Sequence, residues 1–439
     1  MPAKAGERSR GGHIQIFLQK LSLAWDLFQK HEMLNHAGAA AFFFLLSMTP
    51  FFLLLVLAFD HYLMAYPETS ANLFVFLKSI HQDLNRDLLL KFGLLHGKSA
   101  AIGVFGVLNL FWAGGCILTA IQRALALIFP SEKKRSSLMT NIISFIVLSF
   151  LVLVAIFVLF VMKGLNYFQA VIAGHPVAVA LFQSVLPIVS SIVPPVAILL
   201  AVFIAYRYLP SNRPGTASSL AGALWCAISI ICLHLIFANL FIVARYSLIY
   251  GVLGSAILMV LLVYFSFVLF YFFAEYTYIS DKIDVYLLGR LYFFQSGQGQ
   301  KGRRIAKFLF SHPKRLFEKY AAYFAPLEIL FREGDTGRDI YYVYRGAIGI
   351  YRPTDSDEQQ IATLGEGEVF GEMAYLLDEA RMATARALEE TVLIRIPPDV
   401  FEQLLETNIF FARELVLVLT NRLHKAQVDA CAKMPPDEV

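Results

Sequence analysis

Apolar residues fill most of the first 280 positions in long blocks, and beyond about residue 317 they break into short alternating runs. Six blocks are long enough to cross a bilayer core, which takes about 20 apolar residues. They are roughly Ala37–Phe59, Ser99–Ile121, Ile142–Met162, Ala180–Tyr206, Ala217–Val243 and Val252–Ala274. The pattern predicts an N-terminal all-α polytopic bundle of six transmembrane helices. Two amphipathic stretches flank the first block. Ile16, Phe17, Leu21, Trp25 and Phe28 recur at helical spacing before it, and Leu73, Phe76, Leu77, Ile80, Leu84 and Leu88 do so after it. Each can lie in the membrane interface or pack against the bundle.

The later runs read differently. Ile329–Phe331 leads into the turn Arg332-Glu333-Gly334-Asp335, and short strands follow at Ile340–Tyr344, Ala347–Tyr351, Gln360–Leu364 and Val392–Ile396. Short strands punctuated by Gly and Asp predict a β-sandwich or jelly roll. Helices are expected at Pro398–Leu405 and Ile409–Lys425, flanking it. Between the two regimes, Gln295–Gly302 is rich in Gly and Gln and reads as a flexible joint.

Composition supports the division. The chain is 58% hydrophobic and only 16% charged, where a soluble domain carries about 25% charged residues. The net charge of +4 is too small to argue for nucleic acid. Cys116, Cys226 and Cys232 fall in apolar blocks and Cys431 in the tail, a spacing that suits neither a metal nor a disulfide framework. Lys and Arg flanking the blocks set the orientation. Lys4, Arg8, Arg10, Lys20, Lys30, Arg123, Lys133, Lys134, Arg135, Arg207 and Arg213 fall on one side, against Lys78, Arg86, Lys91, Lys98, Lys163 and Arg245 on the other. The expectation is a multi-pass protein with both termini cytoplasmic.

Two sets of residues carry candidate chemistry. In the fourth block, Ser184, Pro187, Ser190, Ser191, Pro194 and Pro195 predict a broken, polar helix of the kind that lines cavities in transporters. The alternative is a proline kink satisfied by serines and neighbouring helices. At span ends, Arg123, Arg207, Arg245 and Glu275 read as headgroup anchors, with a buried pair as the alternative. In the C-terminal region, Phe370-Gly371-Glu372 is followed by Arg381-Met382-Ala383-Thr384. A glycine allows close backbone approach, a carboxylate accepts from sugar hydroxyls, and an arginine offers paired donors to a phosphate. Phe370, Gly371, Glu372, Arg381, Met382 and Ala383 are the expected cyclic-nucleotide site. Arg381 paired with Asp378 or Glu379 is the structural alternative, and Asn421 and Arg422 read as surface residues of the last helix.

The run Ala39-Ala40-Ala41-Phe42 with Ser47 and Pro50 resembles the BrkB/YihY family of bacterial inner-membrane proteins. Leu209-Pro210 with Pro214, Gly222-Ala223-Leu224-Trp225, and Tyr250-Gly251 with Leu253-Gly254 extend the resemblance over about residues 15–285. It implies a six-helix envelope protein, in some members linked to serum resistance or lipid export. Residues 315–428 resemble the cyclic nucleotide-binding domain through the REGD turn, Gly346, Gly371-Glu372 and Arg381. Met382 stands where that family usually has a small residue, and Asn421 and Arg422 lie on the last helix, which in that family can lid the base.

The expected organisation is an N-terminal segment 1–36, a membrane domain 37–284, a linker 285–314, a sensor domain 315–428 and a tail 429–439. The expected function is transport or export of a lipid or other amphipathic solute in the inner membrane, regulated by cyclic AMP or cyclic GMP. A non-transporting scaffold with a ligand-free adaptor domain and a cyclic-nucleotide-gated channel are the rivals. No enzyme activity, cofactor, metal or nucleic-acid partner is expected; the bilayer is the expected partner. No acidic or histidine cluster suits metal-assisted hydrolysis, and no phosphate-binding glycine loop implies ATP.

Overall fold

The computed structural model describes residues 5–48, 99–131, 142, 146, 176–245, 251–295, 310, 314–353 and 358–432. Most of the third expected span, the amphipathic stretch at 73–88, the joint at 296–302 and the final residues 433–439 lie outside the described residues. The chain divides into two compact units, one of residues 24–281 and one of residues 1–23 together with 282–439.

The first unit is helical. It takes the end of α1 (Ala5–Lys30), then α2 (Met33–Met48), α3 (Ser99–Ile128), α4 (Pro176–Tyr208), α5 (Thr216–Arg245) and α6 (Gly251–Asp281). Among the described residues, Ser191–Tyr208, Thr216–Leu240 and Ala256–Asp281 are long and apolar enough to cross a membrane, and Met33–Met48 and Trp112–Ile128 are shorter apolar helices. α5 and α6 pack closely because Gly222 leaves room. A Cβ there would collide with Thr277 Oγ1 and lie 3.1 Å from the Phe273 carbonyl, the small-residue contact that brings membrane helices together. Aromatic rings fill the other contacts of α6: Phe272 lies edge-on to Phe28, with centroids 5.8 Å apart, and Tyr278 to Phe129 at 5.8 Å.

The fourth block is not broken. α4 runs through Pro187, Pro194 and Pro195 as one helix of 33 residues. Each proline removes a single N–H and leaves one carbonyl, four residues back, without its partner. An apolar helix can absorb that loss and continue.

The second unit holds two four-stranded antiparallel sheets. The strands are β1 (Ala321–Phe324), β2 (Ile329–Phe331), β3 (Ile340–Arg345), β4 (Ile348–Pro353), β5 (Glu358–Leu364), β6 (Val369–Phe370), β7 (Thr384–Ala387) and β8 (Thr391–Ile396). One sheet has the order β1-β8-β3-β6 and the other β2-β7-β4-β5. The core between them is Val343, Ile348, Leu364, Phe370, Ala385, Ala387 and Leu393. This is the expected sandwich. Helices α7 (Ile283–Gln295), α8 (Lys314–Tyr320), α9 (Glu372–Leu376), α10 (Pro398–Thr407) and α11 (Ile409–Ala432) surround it.

The expected linker begins as structure. In α7, Leu287, Leu288 and Leu291 are buried, and Tyr292 meets Phe411 edge-on with centroids 4.9 Å apart. These apolar side chains need cover, and the helices of the sandwich unit supply it. Asp284 anchors the start of α7, accepting from Arg315 Nε at 2.5 Å and Lys319 Nζ at 2.8 Å. Burial pushes the Asp284 carboxyl up, but the hydrogen bonds from Arg315 and Lys319 together hold it below the ordinary aspartate range.

Candidate functional site

The turn after β6 positions the site. Gly371 takes φ 80°, ψ 1° and caps α9. A Cβ on it would lie 2.7 Å from Arg381 Nη1 and 3.1 Å from the Asp339 carbonyl. Both the left-handed backbone and the close approach therefore require glycine. The turn places Glu372 in the first residue of α9, with its side chain buried.

Arg381 comes to the same place from the other sheet. Its backbone is held by the Arg332–Asp335 turn: Gly334 N donates to the Arg381 carbonyl at 2.8 Å, and Arg381 N to the Asp335 carbonyl at 2.9 Å. Asp335 closes that turn by accepting from Arg332 N at 2.7 Å. The guanidinium is 4% exposed. It donates through Nη1 to the Gly371 carbonyl at 2.9 Å and through Nη2 to the Asp339 carbonyl at 2.6 Å. It lies 4.3 Å over the Phe331 ring, a cation–π contact. Its Nε has no hydrogen-bond partner. Asp378, the alternative partner, pairs instead with Arg338 at 2.6 Å on the exposed surface.

Glu372 is 1% exposed. Its Oε1 lies 2.6 Å from Arg422 Nη1, and Arg422 Nη2 donates to the Val369 carbonyl at 2.8 Å. Its Oε2 has no partner. Burial pushes the Glu372 carboxyl above the ordinary range, against the opposing pull of Arg422. Burial likewise lowers Arg381, with Tyr341 and Asp339 opposing.

Arg422 corrects the sequence reading, which left it on the surface. It sits on α11 at spacings of 11 and 7 from the buried Phe411 and Leu415. That spacing puts a charge on the helix face that packs against the sandwich, and this was the available signal. Phe370 also changes role. It is a core residue stacked on Tyr341, centroids 5.4 Å apart. It places the turn rather than facing a ligand. Met382 is 41% exposed beside Arg381, and Ala383 is half-buried.

The structure thus brings Gly371, Glu372 and Arg381 together, and adds Arg422. Two guanidiniums and one carboxylate, with one unspent donor and one unspent acceptor buried between them, suit a ligand carrying both phosphate and hydroxyl. A larger cleft of about 750 Å³ lies elsewhere on this unit, lined by Lys314, Phe317, Tyr344, Arg345 and Glu366 among others. It contains none of these side chains. Among the described residues no group of His, Cys, Asp and Glu is arranged to hold a metal.

Of the six serine and proline candidates of α4, three have described side chains. Ser191 is exposed, and Pro194 and Pro195 are half-buried. The side chains of Ser184, Pro187 and Ser190 lie outside the described residues. An apolar cavity of about 250 Å³ lies further along α4, lined by Ala201, Val202, Ala205 and Leu209 with residues of α3, α5 and α6. Of the described candidates, Ser191, Pro194 and Pro195 are not among its lining residues. Glu275, expected at a headgroup, is instead buried against His31.

Comparison with known proteins gives two family matches in chain order. The family described as Virulence factor BrkB matches residues 24–286, and the cyclic nucleotide-binding domain matches residues 322–408. The cyclic AMP receptor protein of Thermus thermophilus is 33% identical over 101 residues, covering 23% of this chain and 47% of that protein. Lysophospholipase nte1 of Neurospora crassa is 29% identical over 108 residues, 24% of this chain and 7% of that one. The crystal structure of the Thermus thermophilus catabolite activator protein matches 30% of this chain and 61% of that chain, with 24% identity and a TM-score of 0.26. The chain spans less than half the length of these two curated relatives.

Proposed function

We propose, for a chain that belongs to the Virulence factor BrkB family through residues 24–286 and carries a cyclic nucleotide-binding domain at 322–408, that a cyclic nucleotide regulates the membrane unit. The membrane unit moves or organises a lipid or other amphipathic solute in the bacterial inner membrane, with six spans and both termini cytoplasmic. Arg381 holds the ligand's cyclic phosphate and Glu372 its ribose hydroxyl. The observation that carries the reading is the convergence of these two buried side chains at Gly371, each with one polar atom unspent. The name of the Thermus relative makes cyclic AMP the first ligand to try.

A mechanism follows from Arg422. A ribose hydroxyl donating to Glu372 shares the carboxylate with the Arg422 guanidinium now on Oε1 and so weakens that contact. Binding therefore loosens α11 from the cassette, or shifts it, and a ligand that prefers the shifted position moves the population toward it. α11 and α7 touch through Phe411 and Tyr292, so the shift reaches the helix that follows α6 in sequence.

A second reading has its own support. Both Nη atoms of Arg381 are already bound to carbonyls, as a ligand-free adaptor would have them. Calorimetry on the full chain in nanodiscs, with cyclic AMP and then cyclic GMP, separates the two. Heat of binding that saturates supports the sensor; none at millimolar nucleotide leaves the adaptor.

A further inference from the structure

We propose that His31 and Glu275 form a proton-binding site in the membrane unit. Glu275 lies in α6, and its side chain is 0% exposed. His31 occupies the turn between α1 and α2, and its side chain is 21% exposed. His31 Nδ1 is 2.7 Å from Glu275 Oε1 across 244 residues of sequence, and Glu275 Oε2 has no partner. The turn itself is held in place, with His31 N donating to the Leu27 carbonyl at 2.8 Å and Glu32 taking φ 52°. Aromatic rings close the same contact, Trp25 and Phe28 both meeting Phe272 edge-on.

A carboxylate is not buried in an apolar helix without compensation. Here the compensation is one histidine, and one carboxylate oxygen is left over. The pair is neutral as a whole when a single proton resides on either partner. It becomes charged when that proton leaves or a second arrives. His31 is 21% exposed where Glu275 is fully enclosed, so exchange with the surroundings runs through His31.

Other titratable groups stand on the elements around the pair: Asp26, Lys30, Glu32 and His36 beside His31, Arg123 on α3, Arg207 and Tyr206 on α4, Cys226 on α5, and Tyr271, Tyr276 and Asp281 on α6. Several of these are committed elsewhere. Glu32 accepts from Asn35 at 3.0 Å, Arg207 donates to the Pro214 carbonyl, Tyr206 donates to the Phe270 carbonyl at 2.6 Å, and Asp281 accepts from Gly215 N at 2.8 Å. Among the described residues, His31 is the one basic side chain within hydrogen-bond distance of Glu275.

The site extends the function beyond nucleotide sensing. Protonation changes the contact that ties the N-terminal helix to the last membrane helix, so the membrane unit can respond to or couple to protons.

The test is infrared difference spectroscopy of the full chain in nanodiscs, titrated between about pH 5 and pH 8, where a histidine pair exchanges its proton. The expected signal is the carbonyl stretch of a protonated carboxylic acid that appears and vanishes within that range. It should be lost in Glu275→Gln, and its titration displaced by about a pH unit or more in His31→Gln, the scale of shift a charged neighbour produces. Should Glu275→Gln not fold, isotope-labelled glutamate assigns the band to a glutamate, and Glu372→Gln, which leaves Glu275 in place, must retain it, since Glu372 is the other buried glutamate among the described residues. A band absent at every pH, unchanged in Glu275→Gln, or unmoved by the label overturns the proton site. An unmoved titration in His31→Gln overturns the pairing.

Discussion

Glu372 and Glu275 are buried alike, and each has one oxygen on a cation and one without a partner. They differ in the cation. Glu372 faces Arg422, and arginine stays protonated at any pH a protein survives. Within this pair a proton can be exchanged on the carboxyl alone, which burial raises, and a ligand hydroxyl contends for the same carboxylate. Glu275 faces His31, and histidine is the residue type that exchanges its proton near neutrality. Its contact is open to pH. The surroundings differ as well. Glu372 lies in a turn whose backbone supplies further polar groups, including the Val369 carbonyl that holds Arg422. Glu275 lies among aromatic rings of membrane helices. The same half-satisfied carboxylate is thus proposed to take a ligand in one unit and a proton in the other.

The comparison breaks first if Arg381 does not hold the ligand. Arg381→Ala removes a charge-assisted contact worth about 1.5–3 kcal/mol. Cyclic nucleotide affinity should then fall by roughly 10- to 150-fold. Calorimetry checks this, and equal affinity in the variant would move the phosphate to another loop.

Exchanging the cation sharpens it. Arg422→His gives Glu372 the kind of partner that Glu275 has. Affinity for cyclic AMP should become pH-dependent between about pH 5 and pH 8, rising with pH as the imidazole loses its proton and releases Glu372. A change of about tenfold corresponds to one charge-assisted hydrogen bond. A pH-independent affinity equal to that of the unsubstituted protein would show that Arg422 does not compete with ligand.

Glu372→Ala should weaken nucleotides bearing a ribose 2′-hydroxyl more than their 2′-deoxy analogues, by several-fold, since a neutral hydrogen bond is worth about 1 kcal/mol. Competition binding with the two analogues measures the ratio. Equal losses would make Glu372 structural.

The smallest effect is on stability, and there Asp284 supplies the contrast. Burial raises Glu372, so the folded state binds its proton more tightly than the unfolded chain. Its contribution is most favourable below the ordinary glutamate value of about 4.3 and declines as pH rises through the higher folded value. Asp284 is held low by Arg315 and Lys319 against its own burial. Its contribution is present above about 3.9 and lost as pH falls through the lower folded value. Thermal unfolding across pH should therefore show Glu372→Gln flattening the first slope and Asp284→Asn the second. Changes of the same sign in both variants would contradict this assignment.

Sequence alone determined what depends on local pattern. Membrane blocks are legible because each must be apolar along its own length, and β3, β4 and β5 because alternation and Gly/Asp turns lie within a few residues of each other. The order Gly371, Glu372, Arg381 was legible for the same reason, the three lying close together in sequence. Tertiary structure decided everything that depends on distant partners. Arg422 meets Glu372 from 50 residues away and His31 meets Glu275 from 244, and neither member of a pair carries a local mark of the other. α7 was taken for linker because its own sequence does not say which surface will cover its leucines. α4 was left open between a broken helix and a kinked one because a proline's effect is read locally, whereas a helix continues through it when its surroundings tolerate the lost bond. Burial turns an ordinary glutamate into a site, and burial belongs to the fold.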